Sequence, residues 1–225
     1  NWKGKKTTVE GVITMANPAE PMTKASTVKM EEMWRMGGDT EDEDEFFGVI
    51  SDIRIDDKGN VYLLDSQLAE VKIYTADGEY IRSIGREGEG PGEFRRPSSL
   101  FFNKEGNIGV IQTIPGKIVI LTPEGEPAGD HPLPPTDDGG FQLIRNGIGV
   151  QGELILLMAR TEFAQGEGKW SRTDFLTRIN NKGEQVANYA SKTNTIIMAD
   201  PKLEDSKWDT IERRWTVDKN GKVYA

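Results

Sequence analysis

Apolar and polar positions alternate in short runs along most of this chain, and the runs recur in one order. SDIRIDDKGNVYLLDS is followed by EVKIYTADGEYIRSIG, SSLFFNKEGNIGVIQT by KIVILTPEGEPAG, and RNGIGVQGELILLMAR by FLTRINNKGEQVANY; WTVDKNGKVYA opens a fourth copy. Short runs rich in Val, Ile, Leu, Tyr and Phe between polar gaps read as strands. Most of the gaps end in Gly. DDKG, NKEG, ADG, PEG, NKG and DKNG place Gly where a hairpin turn needs positive φ, and Asp or Asn ahead of it can bond the turn backbone.

The first-turn glycines are Gly59, Gly106, Gly152 and Gly221, which lie 47, 46 and 69 residues apart. From first-turn to second-turn Gly the spacing is 19 residues in copies one and two and 31 in copy three. A period of roughly 40 to 50 residues with four strands per unit predicts an all-β fold, a β-propeller. The blades are expected at 46–94, 95–138 and 139–208, with a partial blade at 209–225 and an N-terminal lead at 1–45. The lead holds one possible strand, TTVEGVIT, a second at 27–36 that could close a blade, and the acidic loop GGDTEDEDE.

Copy three carries extra residues within TEFAQGEGKWSRTD, 161–174, which predict a projecting loop between its second and third strands. A second insertion lies near NTIIMADPKLEDSKWDT, where Asp200 and Pro201 predict a short helix over 201–208. Copy four stops at GKVYA, inside its second strand, where it would leave a raw edge. The expectation is therefore a larger closed ring, completed by a longer chain or by other chains.

GNVYLLDS, VKIYTADGEYIRSIG, REGEGPGEF and RRPSSL resemble the NHL-repeat family, and more closely the bacterial exported six-bladed propeller proteins. NPAEP at 17–21, ahead of an acidic linker, resembles their lead-in. The resemblance covers residues 46–133 well and the remainder by register alone. It implies six blades in the complete ring and a periplasmic or extracellular location. The family's Asp after the second strand is Asp65 in copy one, but Gln112 and Met158 stand there in copies two and three.

The charge balance narrows the partners. With 28 Lys and Arg against 37 Asp and Glu, the net charge is −9, which argues against nucleic acid, whose phosphates need clustered cations. There is no Cys, so thiolate chemistry and Cys-based zinc sites are excluded. No apolar run approaches the roughly 18 residues of a membrane span. The opening NWKGKKTTVE has no apolar signal segment, as a processed export signal would leave it.

Candidate chemistry is sparse. GREGEGPGEF lacks the Lys of a phosphate loop and carries Glu87, Glu89 and Glu93, so it reads as a blade-to-blade connector. The run Asp39, Glu41, Asp42, Glu43, Asp44, Glu45 lacks the order of a calcium loop and reads as a solvated loop. His131, the one histidine, lies among prolines in GDHPLPP and reads as a connector residue. Register supplies the sharper set. In a propeller the first strand of each blade lines the channel, and seven residues before each first-turn Gly stand Asp52, Ser99, Arg145 and Arg214. Eight before stand Ser51, Ser98, Ile144 and Arg213. These place a polar channel mouth, where arginines can bind a carboxylate or phosphate or else join a salt-bridge network with Asp52. Trp170, in the copy-three insertion, is either a recognition anchor or a local core residue.

Two functions follow. One is a non-enzymatic module that binds a protein or small ligand at Asp52, Ser99, Arg145, Arg213, Arg214 and Trp170, with no cofactor and no metal. The alternative is a channel-metal-dependent hydrolase or lyase. Propeller enzymes of that kind hold the metal with Glu, Asn and Asp, whereas Asp52 is the only acid in the two mouth registers.

Overall fold

A computed structural model of the protein describes residues 4–9, 12–18, 27–38, 43–135, 141–164, 169–197, 215–218 and 221–224. The chain divides into two units, Asn1–Trp34 and Arg35–Ala225. In the first, β1 (Lys5–Val9) and β2 (Val12–Ala16) pair antiparallel from Lys5↔Ala16 to Val9↔Val12, so the single predicted strand is a hairpin. The expected strand at 27–36 does not form. No ladder partner lies beside it among the described residues, and Val28, Met30 and Met33 are 79%, 89% and 84% exposed. The predicted helix at 201–208 lies outside the described residues.

The second unit holds three four-stranded antiparallel sheets, each in sequence order. Blade one is β3 (Ile50–Ile55), β4 (Val61–Asp65), β5 (Glu70–Tyr74) and β6 (Tyr80–Ile84). Blade two is β7 (Pro97–Phe102), β8 (Ile108–Gln112), β9 (Lys117–Leu121) and β10 (Pro127–Asp130). Blade three is β11 (Phe141–Val150), β12 (Glu153–Ala164), β13 (Lys169–Ile179) and β14 (Gln185–Ile197). A fourth blade begins as the pair β15 (Thr216–Val217) and β16 (Val223–Tyr224). The first strands lie side by side, β3 against β7 and β7 against β11, as the inner strands of a propeller do. The fold is a β-propeller, with three four-stranded blades and one pair of strands from a fourth among the described residues.

Face-to-face packing explains the composition of the middle strands. Side chains alternate across a strand, and a blade with a neighbour on each side is covered on two faces, so both sets must be apolar. In β8, Ile108 and Val110 join Tyr62, Leu64, Val71 and Ile73 of blade one, while Ile111 joins Ile144, Leu156 and Met158 of blade three. β12 repeats the pattern: Leu154 and Leu156 face blade two, and Ile155 and Leu157 pack towards Val217 and Val223. Each such side chain contributes roughly 2 kcal/mol relative to exposure. The GREGEGPGEF segment connects β6 to β7 and drives Phe94, fully buried, into the first of these cores. Its Glu93 accepts hydrogen bonds from the Gly90 amide at 2.9 Å and from Arg86 at 2.6 Å.

Blade one's other face is only partly covered. The 3-10 turn Glu43–Glu45 lies over it, with the Tyr74 hydroxyl donating to the Asp44 carbonyl, and Phe47 packs on Tyr74. Lys72 is buried between the rings of Phe47 and Tyr80 and pairs with Glu70 at 3.5 Å. On the same side of β3, Ile53 and Ile55 remain 55% and 65% exposed.

Candidate functional site

The residues expected at a channel mouth lie at the start of β3, β7 and β11, where each strand carries a β-bulge. Ser51 is skipped between the pairs Ile50↔Asp65 and Asp52↔Leu64, and Ser98 between Pro97↔Gln112 and Ser99↔Ile111. In blade three the skipped residue is Arg145, between Ile144↔Met158 and Asn146↔Leu157. Bulges at such rims re-aim side chains. Arg145 is therefore the counterpart of Ser51 and Ser98, one position away from the register counted along the sequence, and Asn146 is the counterpart of Asp52 and Ser99.

Turn length causes the slip. Blades one and two cross from first to second strand by loops closed with Asp56 N–H to Asn60 C=O and Asn103 N–H to Asn107 C=O, both at 3.0 Å. In blade three Val150 pairs directly with Glu153, and both residues between, Gln151 and Gly152, have positive φ. A two-residue turn of that kind is one residue shorter than the loops of the other blades, so counting back from Gly152 overshoots.

The corrected alignment gathers a hydrogen-bond set that the sequence register missed. Asp52 accepts from the Ile53 amide through Oδ1 and from the Leu100 amide, one blade away, through Oδ2, both at 2.9 Å. Arg54 donates from Nε to the Leu100 carbonyl at 2.9 Å and pairs with Asp52 at 3.0 Å. Asn146 accepts from the Gly147 amide at 2.7 Å. Thus three equivalent inner-strand amides, of Ile53, Leu100 and Gly147, are all satisfied by the longer acids and amides, because Ser99 is too short. Ser99 is buried and its Oγ has no hydrogen-bond partner among the described residues. The expected pairing of Asp52 with an arginine is present, but the partner is Arg54, two residues along its own strand. Alternation was the signal that could have found it.

Asp65 anchors the same end. Its fully buried carboxylate accepts from the amides of Gly48, Val49, Gln67 and Leu68 at 2.6, 3.1, 2.9 and 2.9 Å. Burial pushes its pKa up, but the four amide donors outweigh burial and hold it below the ordinary 3.8. Gln112 does half of this in blade two, accepting from the Arg95 amide at 2.7 Å and donating to the Pro115 carbonyl at 2.9 Å. Met158 has no such task, because β12 does not turn there.

Instead, blade three grows taller. Beyond Met158↔Phe175, β12 and β13 pair for six more residues, up to Ala164↔Lys169, and β14 follows to Ile197. At about 3.3 Å per residue the sheet gains roughly 20 Å. The loop expected over 161–174 is thus largely strand, since TEFA and KWSRTDF keep the alternation of the hairpin they extend. Trp170, half-buried, shares a face with Arg172 and Asp174 of β13. Arg172 holds Asp174 at 2.7 Å, and both are buried; Asp174 Oδ2 and Asn194 Nδ2 have no hydrogen-bond partner among the described residues.

Arg145 lines a cavity of about 540 Å³ together with Thr113, Ile114, Leu143, Asn146, Leu157 and Trp215. Its lining combines the apolar groups of Ile114, Leu143, Leu157 and Trp215 with a hydroxyl, a guanidinium and an amide. The structure thus brings Arg145 to a cavity and puts Asp52 and Ser99 on neighbouring inner strands; Trp170 stands further up blade three. Arg213 and Arg214 lie outside the described residues. Trp215 was missed, as it falls outside the strand registers counted from the glycines. Among the described residues no group of three or more His, Asp or Glu is arranged to hold a metal ion, and no helix is long and apolar enough to cross a membrane.

His131 sits at the opposite end, between blades two and three. It lines a cavity of about 120 Å³ with Phe101, Lys104, Glu153 and Asn181. Its Nδ1 lies 2.8 Å from the Pro132 carbonyl, and burial lowers its pKa from 6.5.

A family described as a 6-bladed beta-propeller matches residues 39–130 of the chain. Curated protein sequences give no match. Among solved structures, the chain is similar to a Bacteroides fragilis protein named for export, with 15% identity, a TM-score of 0.49, and coverage of 68% of this chain and 40% of that one. It is also similar to virginiamycin B lyase from Staphylococcus aureus, with 15% identity, a TM-score of 0.36, and coverage of 62% and 55%. The chain spans about half the length of these proteins. At these scores the likenesses have no bearing on function.

Proposed function

We propose that the protein is an exported, non-enzymatic propeller module that binds a protein segment or small ligand at the channel mouth. The observation that carries this reading is the 540 Å³ cavity, where Arg145 and Asn146 meet the apolar groups of Ile114, Leu143, Leu157 and Trp215. A guanidinium beside an aromatic and aliphatic wall favours a ligand with a carboxylate or other acceptor next to an apolar group. The roughly 20 Å rise of blade three, with Trp170 on it, supplies a wall above the mouth for a larger partner. Asp52 is engaged with two amides and Arg54, so its role in this reading is to hold the mouth in shape. Export rests on the likeness of GEGPGEF and NPAEP to the exported bacterial propellers.

A thermal-shift screen of small carboxylates, amino acids and short peptides tests the pocket. A compound that raises the Tm of the native protein and fails to do so with Arg145→Ala supports the reading. A library without hits, or hits that Arg145→Ala and Trp215→Ala leave unchanged, overturns it. Fractionation of the native bacterium tests export, which fails if the protein stays in the cytosol.

A further inference from the structure

A cleft of about 510 Å³ opens between blades one and two, at the end of the strands away from the bulges. Its floor is apolar, with Tyr62 and Ile73 buried and Phe102 set edge-on to Tyr62 at 4.8 Å between ring centroids. The Tyr62 hydroxyl donates to Asp56 Oδ2 at 3.3 Å. Asp56 also accepts from the amides of Lys58 and Asn60 and from Asn60 Nδ2, so its own turn engages it. The two walls differ in charge. Lys58 and Arg82 line the cleft from blade one, Glu105 and Glu124 from blade two. All four are exposed, and among the described residues none of these side chains forms an ion pair. A Cβ on Gly152 would lie 2.1 Å from Lys104 Cε, so the Lys104 side chain lies against blade three. Asp57 adds an acid beside Lys58 at the inner end. The signs are therefore most cleanly separated at the outer end, between Arg82 on β6 and Glu124 on the turn after β9. Both reach the Tyr62 hydroxyl: burial and Asp56 raise its pKa, Glu124 adds to the rise and Arg82 opposes it.

We propose that this cleft binds a small zwitterion of the aromatic amino-acid class, its ring against Phe102 and Tyr62, its carboxylate on Arg82 and its ammonium on Glu124. Charge complementarity selects this occupant. Arg82 and Glu124 flank one cleft without touching each other, so a ligand with both signs can pair with each. An anion would meet Glu124 as a like charge and a cation would meet Arg82, and like charges placed together penalise the wrong partner. A neutral ligand would leave both without a partner. The edge-on rings of Tyr62 and Phe102 offer a further ring the offset or edge contacts that aromatic groups prefer. The cleft is large enough for a small ligand. It shares no residue with the cavity at Arg145, which lies between other blades.

The test is calorimetric titration of the native protein with phenylalanine and with three analogues that keep its ring: 3-phenylpropionate, phenethylamine and N-acetylphenylalaninamide. Phenylalanine is expected to bind with a Kd below about 1 mM, and each analogue at least tenfold more weakly. Arg82→Gln and Glu124→Gln are each expected to weaken phenylalanine at least tenfold. Glu124→Gln is also expected to tighten 3-phenylpropionate several-fold, because it removes the like charge; a merely structural effect would weaken both ligands. Circular dichroism checks that both variants keep the native sheet. The proposal is overturned if phenylalanine does not bind, if any analogue binds as well as phenylalanine does, or if Glu124→Gln weakens both ligands. A loss of binding with Arg145→Ala in place of Arg82→Gln puts the ligand in the other cavity and overturns it too.

Discussion

Asp52, on the first inner strand, accepts a hydrogen bond from the backbone amide of Leu100 on the second, at 2.9 Å. An inner strand has one edge without a ladder partner, and its amides need acceptors from elsewhere. The other carboxylate oxygen takes the Ile53 amide, and Arg54 takes the Leu100 carbonyl. One acid and one base thus join blades one and two through their backbones.

Asp52→Ala removes the acceptor of the part-buried Leu100 amide and of the exposed Ile53 amide and is expected to cost about 1–2 kcal/mol. Asp52→Asn keeps one acceptor oxygen and is expected to cost about half as much. Urea unfolding of both variants checks this, and equal losses would show that the second bond contributes nothing.

Asp65→Asn replaces an acceptor of four amides with a group that points donors at some of them. A loss of about 3 kcal/mol is expected at neutral pH. Because the folded-state pKa lies below 3.8, the stabilisation is present above that value and is lost as pH falls through the lowered one. Tm measured from pH 7 down to pH 3 should therefore fall less steeply for the variant than for the native protein.

His131 carries the opposite proton preference to a paired histidine. Its folded-state pKa is lowered by burial, so the folded form is the neutral one. Its contribution is complete above 6.5 and declines as pH drops through 6.5, where the unfolded chain takes up a proton first. His131→Gln should reduce the loss of Tm between pH 7 and pH 5.5, and identical slopes would contradict the assignment.

Gly109 pairs with Phe101, and a Cβ placed on it would lie 2.1 Å from the ring. Gly109→Ala forces the ring out of the core shared by blades two and three, at an expected cost of about 2–3 kcal/mol. A Tm within one degree of the native value would show that the ring has room to move.

Blade architecture was legible in the chain itself. Gly59, Gly106 and Gly183 mark hairpins because only a residue without Cβ takes positive φ at low cost, and VYLLD and IGVIQ read as buried strands because they are short apolar runs bounded by turns. Asp65 was marked out only by the resemblance to the propeller family, since Gln112 and Met158 stand at its place in the other copies. What tertiary structure alone decided was how neighbouring chains of residues meet. A turn one residue shorter at Gln151 and Gly152 moved Arg145 onto the bulge and Asn146 into the place of Asp52, and no local rule distinguishes these turns by their glycine alone. The insertion with Trp170 became strand because its partners on β12 and β14 extend with it. The cavity at Arg145 joins residues from Thr113 to Trp215, 102 positions apart along the chain. Strand and turn identity follow from local sterics and alternation, whereas register between strands and contacts between blades depend on which surfaces are pressed together.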